Sequence, residues 1–570
     1  MEPRTRPPGW AAALAGVTAG AVALGIAQLV AGVFGGTSPI IAVGNSAVDN
    51  TPLWLKEWAI RTFGENDKNV LIGGILVVVA LIAAGLGVLS RRRVGFGVAG
   101  LWLFGLVGML AVLTGAEAGP LAILPPLIGA GAGAMTLSSL FRRLEPPPWA
   151  ESERAEALAA AESDAAAEHD DSRAAAEHDD SRAAAEHDDS RAAAEHDDSD
   201  RAEMPPVMRS GSELHAFSRR RLLTGVGMGV GVAGVSGIAG QLLSGRNDVS
   251  GARTAVAKAL PTAATPLPPL PAGVDFKIPN LSPFSTPNHD FYRVDTALVV
   301  PAVDPKSWTL TIHGMVDKPI EITFDDLIKR PLMEADVTLT CVSNEVNGPY
   351  VGNARWLGVR MADVLREAGL QANADMLLST SSDGWTCGTP IDIVMDGRDA
   401  LFAIAMNGEV LPVSHGFPVR QVVPGLYGYV SATKWVTDIK VTRYDLDEAY
   451  WTPRGWSAMG PIKTGSRIDL PRNKVKPGRN TIAGVAWAQH RGIEKVEVQV
   501  DDGDWRVARL AEVPGPDTWR QWAIDWDFTP GLHTIRCRAT DGTGQTQTAN
   551  GAPPAPNGAT GYPSVLMEAV

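Results

Sequence analysis

Five uncharged apolar runs, at about 10–34, 70–89, 94–115, 120–141 and 222–243, each reach the roughly 20 residues that cross a bilayer. Lipid offers backbone groups no partners, so runs of this kind must be helical wherever they meet it. A buried core helix is the other reading of any one run, but four of them crowd into the first 145 residues. The first part of the chain is therefore expected to be an α-helical transmembrane region. Arg4 and Arg6, Arg91-Arg92-Arg93, Arg142-Arg143 and Arg219-Arg220-Arg221 all fall on one side if every run crosses. By the positive-inside bias that side is cytoplasmic, together with the N-terminus, and whatever follows residue 243 lies outside. The ten histidines all lie outside the five runs, so a bis-histidine haem within the bilayer has no ligands here. Between the first two runs, Pro52 to Phe63 mixes Leu53, Trp54, Trp58, Ile60 and Phe63 with Lys56, Glu57 and Arg61, the pattern of an interfacial amphipathic helix.

At 570 residues the chain is too long for one core, and its net charge of -13 is unevenly spread. From Ala165 the nonapeptide Ala-Ala-Ala-Glu-His-Asp-Asp-Ser-Arg repeats, with Asp200 replacing the last arginine. The repeat holds no large apolar residue and cannot bury a core, so 144–217 reads as a solvated cytoplasmic linker. Its spaced His and Asp could bind a metal only weakly, because nothing pre-organises them. Leu260 to Pro271, with five prolines, reads as a stiff spacer. No basic face points to nucleic acid. Three cysteines without paired spacing argue against a disulfide scaffold, a zinc ribbon or an iron–sulfur cluster. Cys537 alternates with Ile535 and Ala539 and belongs to a core, while Cys387 receives no role.

The chemistry gathers around Val337-Thr338-Leu339-Thr340-Cys341-Val342-Ser343-Asn344, a short strand that ends on a cysteine and breaks into a polar turn. A strand end is a rigid mount, and a thiolate presented there suits a soft metal; the bland alternative is a small buried hydrophobe. Downstream lie Gly352-Asn353-Ala354-Arg355-Trp356-Leu357-Gly358-Val359, a helical pattern over Met361, Val364, Leu365 and Ala368 closed by Gly369, then His415-Gly416-Phe417-Pro418-Val419-Arg420 and Thr433-Lys434-Trp435. In order and spacing these resemble the sulfite oxidase family of molybdopterin enzymes, over about residues 275–570. Short strands, turns and a few helices up to residue 445 suggest an α+β domain. From about 475, alternation at Val496, Val498 and Val500, at Trp522, Ile524 and Trp526, and at Ile535, Cys537 and Ala539 suggests an all-β sandwich of immunoglobulin type.

The resemblance implies a molybdenum–molybdopterin cofactor and a two-electron oxygen-atom transfer. It makes Cys341 the catalytic residue and molybdenum ligand, and carries Arg420, Lys434 and Thr433 to the cofactor's phosphate and pterin, with His289, Tyr292, Arg293 and His415 nearby. The resulting division is 1–143 transmembrane, 144–217 linker, 218–245 fifth span, 246–274 spacer, 275–445 molybdopterin domain, 446–474 connector and 475–570 immunoglobulin-like dimerisation domain. Ser218-Arg219-Arg220-Arg221-Leu222-Leu223 then resembles a twin-arginine export signal, which would carry a folded, cofactor-loaded domain outward. Expected partners are a small-molecule substrate, the membrane, a separate electron-transfer protein or quinone, and a second copy of the chain.

The chain also departs from the family. Glu345 and Val346 follow Asn344 where sulfite oxidases carry arginines, Val294 or Asp295 stands where they have another, and Trp456 falls where they place a tyrosine. Sulfite is a dianion that needs cations, so a substrate other than sulfite is expected. A sulfoxide or N-oxide reductase of the same fold and a non-catalytic membrane-tethered binding module are the competing readings.

Overall fold

The computed structural model describes residues 7–34, 38–52, 67–114, 121–144, 219–244 and 249–570, with short pieces within 53–63 and 209–214. The nonapeptide linker and most of the expected amphipathic helix before Phe63 lie outside the described residues. Two compact units emerge, Met1–Ala47 with Asn66–Gly245, and Val48–Glu65 with Arg246–Val570.

The first unit is helical: α1 (Gly9–Phe34), α2 (Pro39–Asn50), α3 (Asp67–Leu89), α4 (Val94–Leu113), α5 (Leu124–Leu144) and α6 (Arg219–Ser244). All but α2 are long and apolar enough to cross a membrane. The sequence pattern began the fourth run at 120, but α5 starts at Leu124, with Pro125 and Pro126 in the first turn, where a missing N–H costs no intrahelical bond. Small residues set the packing distance within this unit. A Cβ on Gly16 or on Gly87 would run into the carbonyl oxygen of Ala83 or of Ala12 respectively, so α1 and α3 touch backbone to backbone.

The second unit is rich in β-structure. A short helix α7 (Ser250–Lys258) precedes an extended stretch and two sheets. One sheet joins β1 (Thr309–Gly314), β2 (Ile320–Thr323), β5 (Met376–Ser381), β6 (Thr386–Pro390) and β10 (Val436–Thr442) in the order β2-β1-β10-β5-β6. The other runs β8-β7-β4-β3, from β3 (Leu332–Thr340), β4 (Val351–Arg360), β7 (Leu401–Met406) and β8 (Glu409–Val410), with β9 (Arg420–Val422) pairing β7. Helix α8 (Phe324–Ile328) is capped by Thr323, whose hydroxyl accepts from the Asp326 amide. Helix α9 (Met361–Ala368) buries Met361, Ala362, Val364, Leu365 and Ala368. It ends at Gly369 with φ 72°, a conformation that glycine adopts without a Cβ clash. Trp308, Leu310, Ile312, Phe402, Ile404 and Val441 share the core with that helix.

From Gly465 onward the chain is all strand and turn. One four-stranded and one five-stranded sheet share a core of Ile482, Val496, Val498, Trp522, Ile535 and Cys537. From Val496 to Val500 the strand Ile493–Val500 alternates buried and part-exposed residues, as period-2 patterning requires of a sheet with one dry face.

Candidate active site

Strand β3 is buried along its second half and pairs in register with β4, Asp336 opposite Arg355 and Thr340 opposite Val351. Pairing stops at Thr340, and Cys341 is the first residue beyond it. The hairpin still holds the cysteine, because its amide donates to the Tyr350 carbonyl at 3.0 Å and its carbonyl accepts from the Asn344 amide at 3.1 Å. Asn344 closes the turn by accepting from the Tyr350 amide at 2.8 Å. The thiol is fixed from below, with its Sγ 2.8 Å from the Ser343 hydroxyl. Burial pushes the thiol's pKa up, opposed by hydrogen bonding at Ser343 and by the charge of Lys434.

Three of the expected residues form a buried cationic corner. Arg420, at the start of β9, donates to the carbonyl oxygens of His415 and Gln421 at 3.1 and 3.3 Å. Its guanidinium lies 5.0 Å from the centroid of the Trp356 ring on β4. No carboxylate pairs with it among the described residues, and burial pulls its pKa down to about 10. Lys434 donates to the Ser414 carbonyl at 3.2 Å and to Asp295 Oδ2 at 2.5 Å. Burial draws it down to about 8 despite that carboxylate. His415, closing a 3₁₀ turn, is pulled down to about 4 by burial and by the charges of Arg420 and Lys434, and is neutral at neutral pH.

Tyr292 joins through aromatic packing: Phe291 stacks on it at 5.3 Å and meets His415 and Trp356 edge-on at 5.7 and 5.9 Å. Burial raises its phenol far above the ordinary range. Arg293 enters from the same loop but is bound to Asp295 at 2.8 and 3.2 Å. Thr433 is fully buried, and its hydroxyl lies 2.7 Å from that of Ser379, beside Cys387. His289 stands apart, its side chain 81% exposed and 3.4 Å from Asp290.

Residue-by-residue reading of the sequence gave no role to Asp295 as a counterion, or to Phe291, Ser343, Tyr350 and Trp356. Only Ser343, two residues past the cysteine, had a local signal. The others arrive through sheet register and a loop that folds back over β4. Trp456, set against the family's tyrosine, is buried beside Tyr429 and Trp451, and its indole N–H has no hydrogen-bond partner among the described residues.

The donor set suits an anionic cofactor that carries a soft metal. A thiol waits at a strand end, and Arg420 is a buried cation balanced, among the described residues, by carbonyl dipoles and a ring, so a phosphate would satisfy it. Comparison with known proteins defines the class. Residues 297–451 match the oxidoreductase molybdopterin binding domain. Chicken sulfite oxidase is 30% identical over 47% of this chain and 69% of its own length, and the human mitochondrial enzyme 31% over 45% and 56%. The uncharacterized oxidoreductase YuiH of Bacillus subtilis is 33% identical over 28% of this chain and 76% of its own. The chain thus spans little more than half of the human enzyme. It belongs to the sulfite oxidase family of molybdopterin-dependent oxidoreductases, enzymes that use a molybdenum–molybdopterin cofactor.

Proposed function

We propose that this chain is a membrane-anchored enzyme whose catalytic part, 275–445, works outside the cytoplasm on a small, neutral or weakly charged substrate and not on sulfite. When bound, the cofactor supplies two-electron oxygen-atom transfer. Cys341 would hold the molybdenum, a soft thiolate kept deprotonated by the metal's charge. Arg420 and Lys434 would grip the phosphate and pterin, Arg420 with two parallel bonds. Neutral His415 can donate or accept one hydrogen bond without adding charge, and Tyr292 would close the apolar side and keep water out.

One observation carries the substrate reading. Of the two arginines that could replace the missing sulfite-binding cations, Arg355 lies on the face of β4 turned away from Trp356 and Arg420, and both are engaged by carboxylates. Arg355 meets Asp336 through Nε at 2.9 Å and Nη2 at 2.7 Å, and Arg293 is bound to Asp295. A dianion entering this site would have to compete with Asp295 for Arg293. Loss of a charge-assisted contact in a desolvated site costs about 2.7–4 kcal/mol, so sulfite turnover falls by orders of magnitude. Reduction of sulfoxides or N-oxides fits the same site.

The remaining parts follow the same reading. Residues 1–143 and 218–245 anchor the chain, with 144–217 as a cytoplasmic linker. Ser218 to Leu223 directs export of the loaded domain, 246–274 hold it off the surface, and 446–474 connect it to an immunoglobulin-like sandwich, 475–570, that pairs two copies. Electrons pass to or from a separate protein or quinone. The test is sulfite-dependent reduction of an artificial acceptor by the molybdenum-loaded chain, set against reduction of methyl phenyl sulfoxide by a chemical donor. Sulfite turnover at a micromolar Michaelis constant would refute the substrate reading.

A further inference from the structure

Asp295 holds an unusual position in the cationic corner. Its side chain is 5% exposed and lies between two cations, Lys434 Nζ at 2.5 Å and Arg293 Nε at 2.8 Å. A purely structural counterion for the buried lysine would need only one of these contacts. Arg293 is different, because it keeps 33% of its side-chain surface and is the member of the corner that faces outward. The stretch Arg293-Val294-Asp295 lies in no strand or helix, and its two charged side chains pair with each other while Asp295 also meets Lys434. Lys434 also feels the charge of Arg420, His415 the charges of Arg420, Lys434 and Arg293, and Cys341 that of Lys434.

We propose that Asp295 is a specificity-determining residue: its carboxylate cancels one of the two positive charges of Arg293 and Lys434 and ties down the outward-facing Arg293, which would otherwise meet an incoming substrate, and so turns the pocket away from dianions. This rests on the molybdenum-enzyme reading above and names the group that sets its substrate class. The physical reason is reach. A full charge within about 4–6 Å, in a partly desolvated place, shifts a charge equilibrium by roughly 1–3 decades, and a dianion feels the shift twice over. A neutral oxide feels only the dipole.

The experiment uses the full chain, loaded with molybdenum, and the inert dianion sulfate as probe. Asp295→Asn keeps the shape and removes the charge. Its sulfate dissociation constant, by titration calorimetry, is expected to fall by at least about tenfold. The Michaelis constant for sulfite should fall with it, while affinity for methyl phenyl sulfoxide stays where it was. Unchanged sulfate affinity in D295N overturns the proposal. Asp295→Glu, which keeps the charge, must retain the weak wild-type affinity, and tightening there overturns it equally. If D295N does not load metal, Asp295→Ser, which leaves room for water at the carboxylate position, carries the same expectation and the same refutation. The two readings fail separately. Efficient sulfite oxidation by the wild type sinks the substrate reading whatever Asp295 does, and a poor wild type whose sulfate affinity does not move in D295N sinks only the role of Asp295.

Discussion

Arg420 rests its guanidinium 5.0 Å from the centroid of the Trp356 ring, in a place where its hydrogen-bond partners are carbonyl oxygens and no carboxylate pairs with it among the described residues. A cation kept dry in this way costs stability in the empty protein and is repaid only when an anion arrives. Arg420→Met should therefore leave the cofactor-free domain at least as stable as the wild type. It should weaken cofactor retention by about 1.5–3 kcal/mol, the worth of a hydrogen bond to a charged group. Thermal unfolding of cofactor-free protein and molybdopterin content of loaded protein measure the two effects. A large loss of stability without loss of pterin would show that Arg420 serves the fold.

Cys341 can be separated from the phosphate grip. Cys341→Ser should abolish turnover while leaving circular dichroism and most of the pterin unchanged, because a hard hydroxyl alters the metal and not the cations around it. Full activity in that variant would remove Cys341 from the reaction.

His415 predicts a pH dependence. Its pKa falls from 6.5 to about 4 on folding, through burial and then the charges of Arg420 and Lys434. The unfolded chain thus binds the extra proton at higher pH than the folded one. Stability from this group is complete above about pH 6.5 and drains away as pH falls toward 4, by at most about 3 kcal/mol. His415→Gln should flatten denaturant-midpoint profiles between those limits in the cofactor-free protein. An unchanged slope would mean that the imidazole is charged in the fold.

Topology rests on the arginine clusters. A reporter inserted after Arg143 should lie in the cytoplasm and one after Ala272 outside. Equal accessibility of both sites to an impermeant label contradicts the crossing scheme.

How far the sequence reaches can be judged residue by residue. Backbone polarity in lipid leaves one solution for a long uncharged run, so the five apolar helices could be read from composition alone. Helix α9 was equally legible, since its apolar spacing and Gly369 are local signals. Helix α2 was missed, being only 12 residues long and mixed in composition. Cys341 at a strand end could also be read locally, because alternation stops where the polar turn begins. Asp295 could not. In the sequence it stood where a cation was looked for; in the fold it is the carboxylate that holds Arg293 two residues before it and Lys434 139 residues after it. Trp356 and Arg420 likewise meet only because β4 and β9 both pair with β7. Local pattern determines which segments become helix or strand, since helix periodicity and strand alternation act over a few residues. Which charges neutralise one another in a dry pocket is decided by tertiary contacts between distant segments, and in this protein that decision is what bears on the substrate.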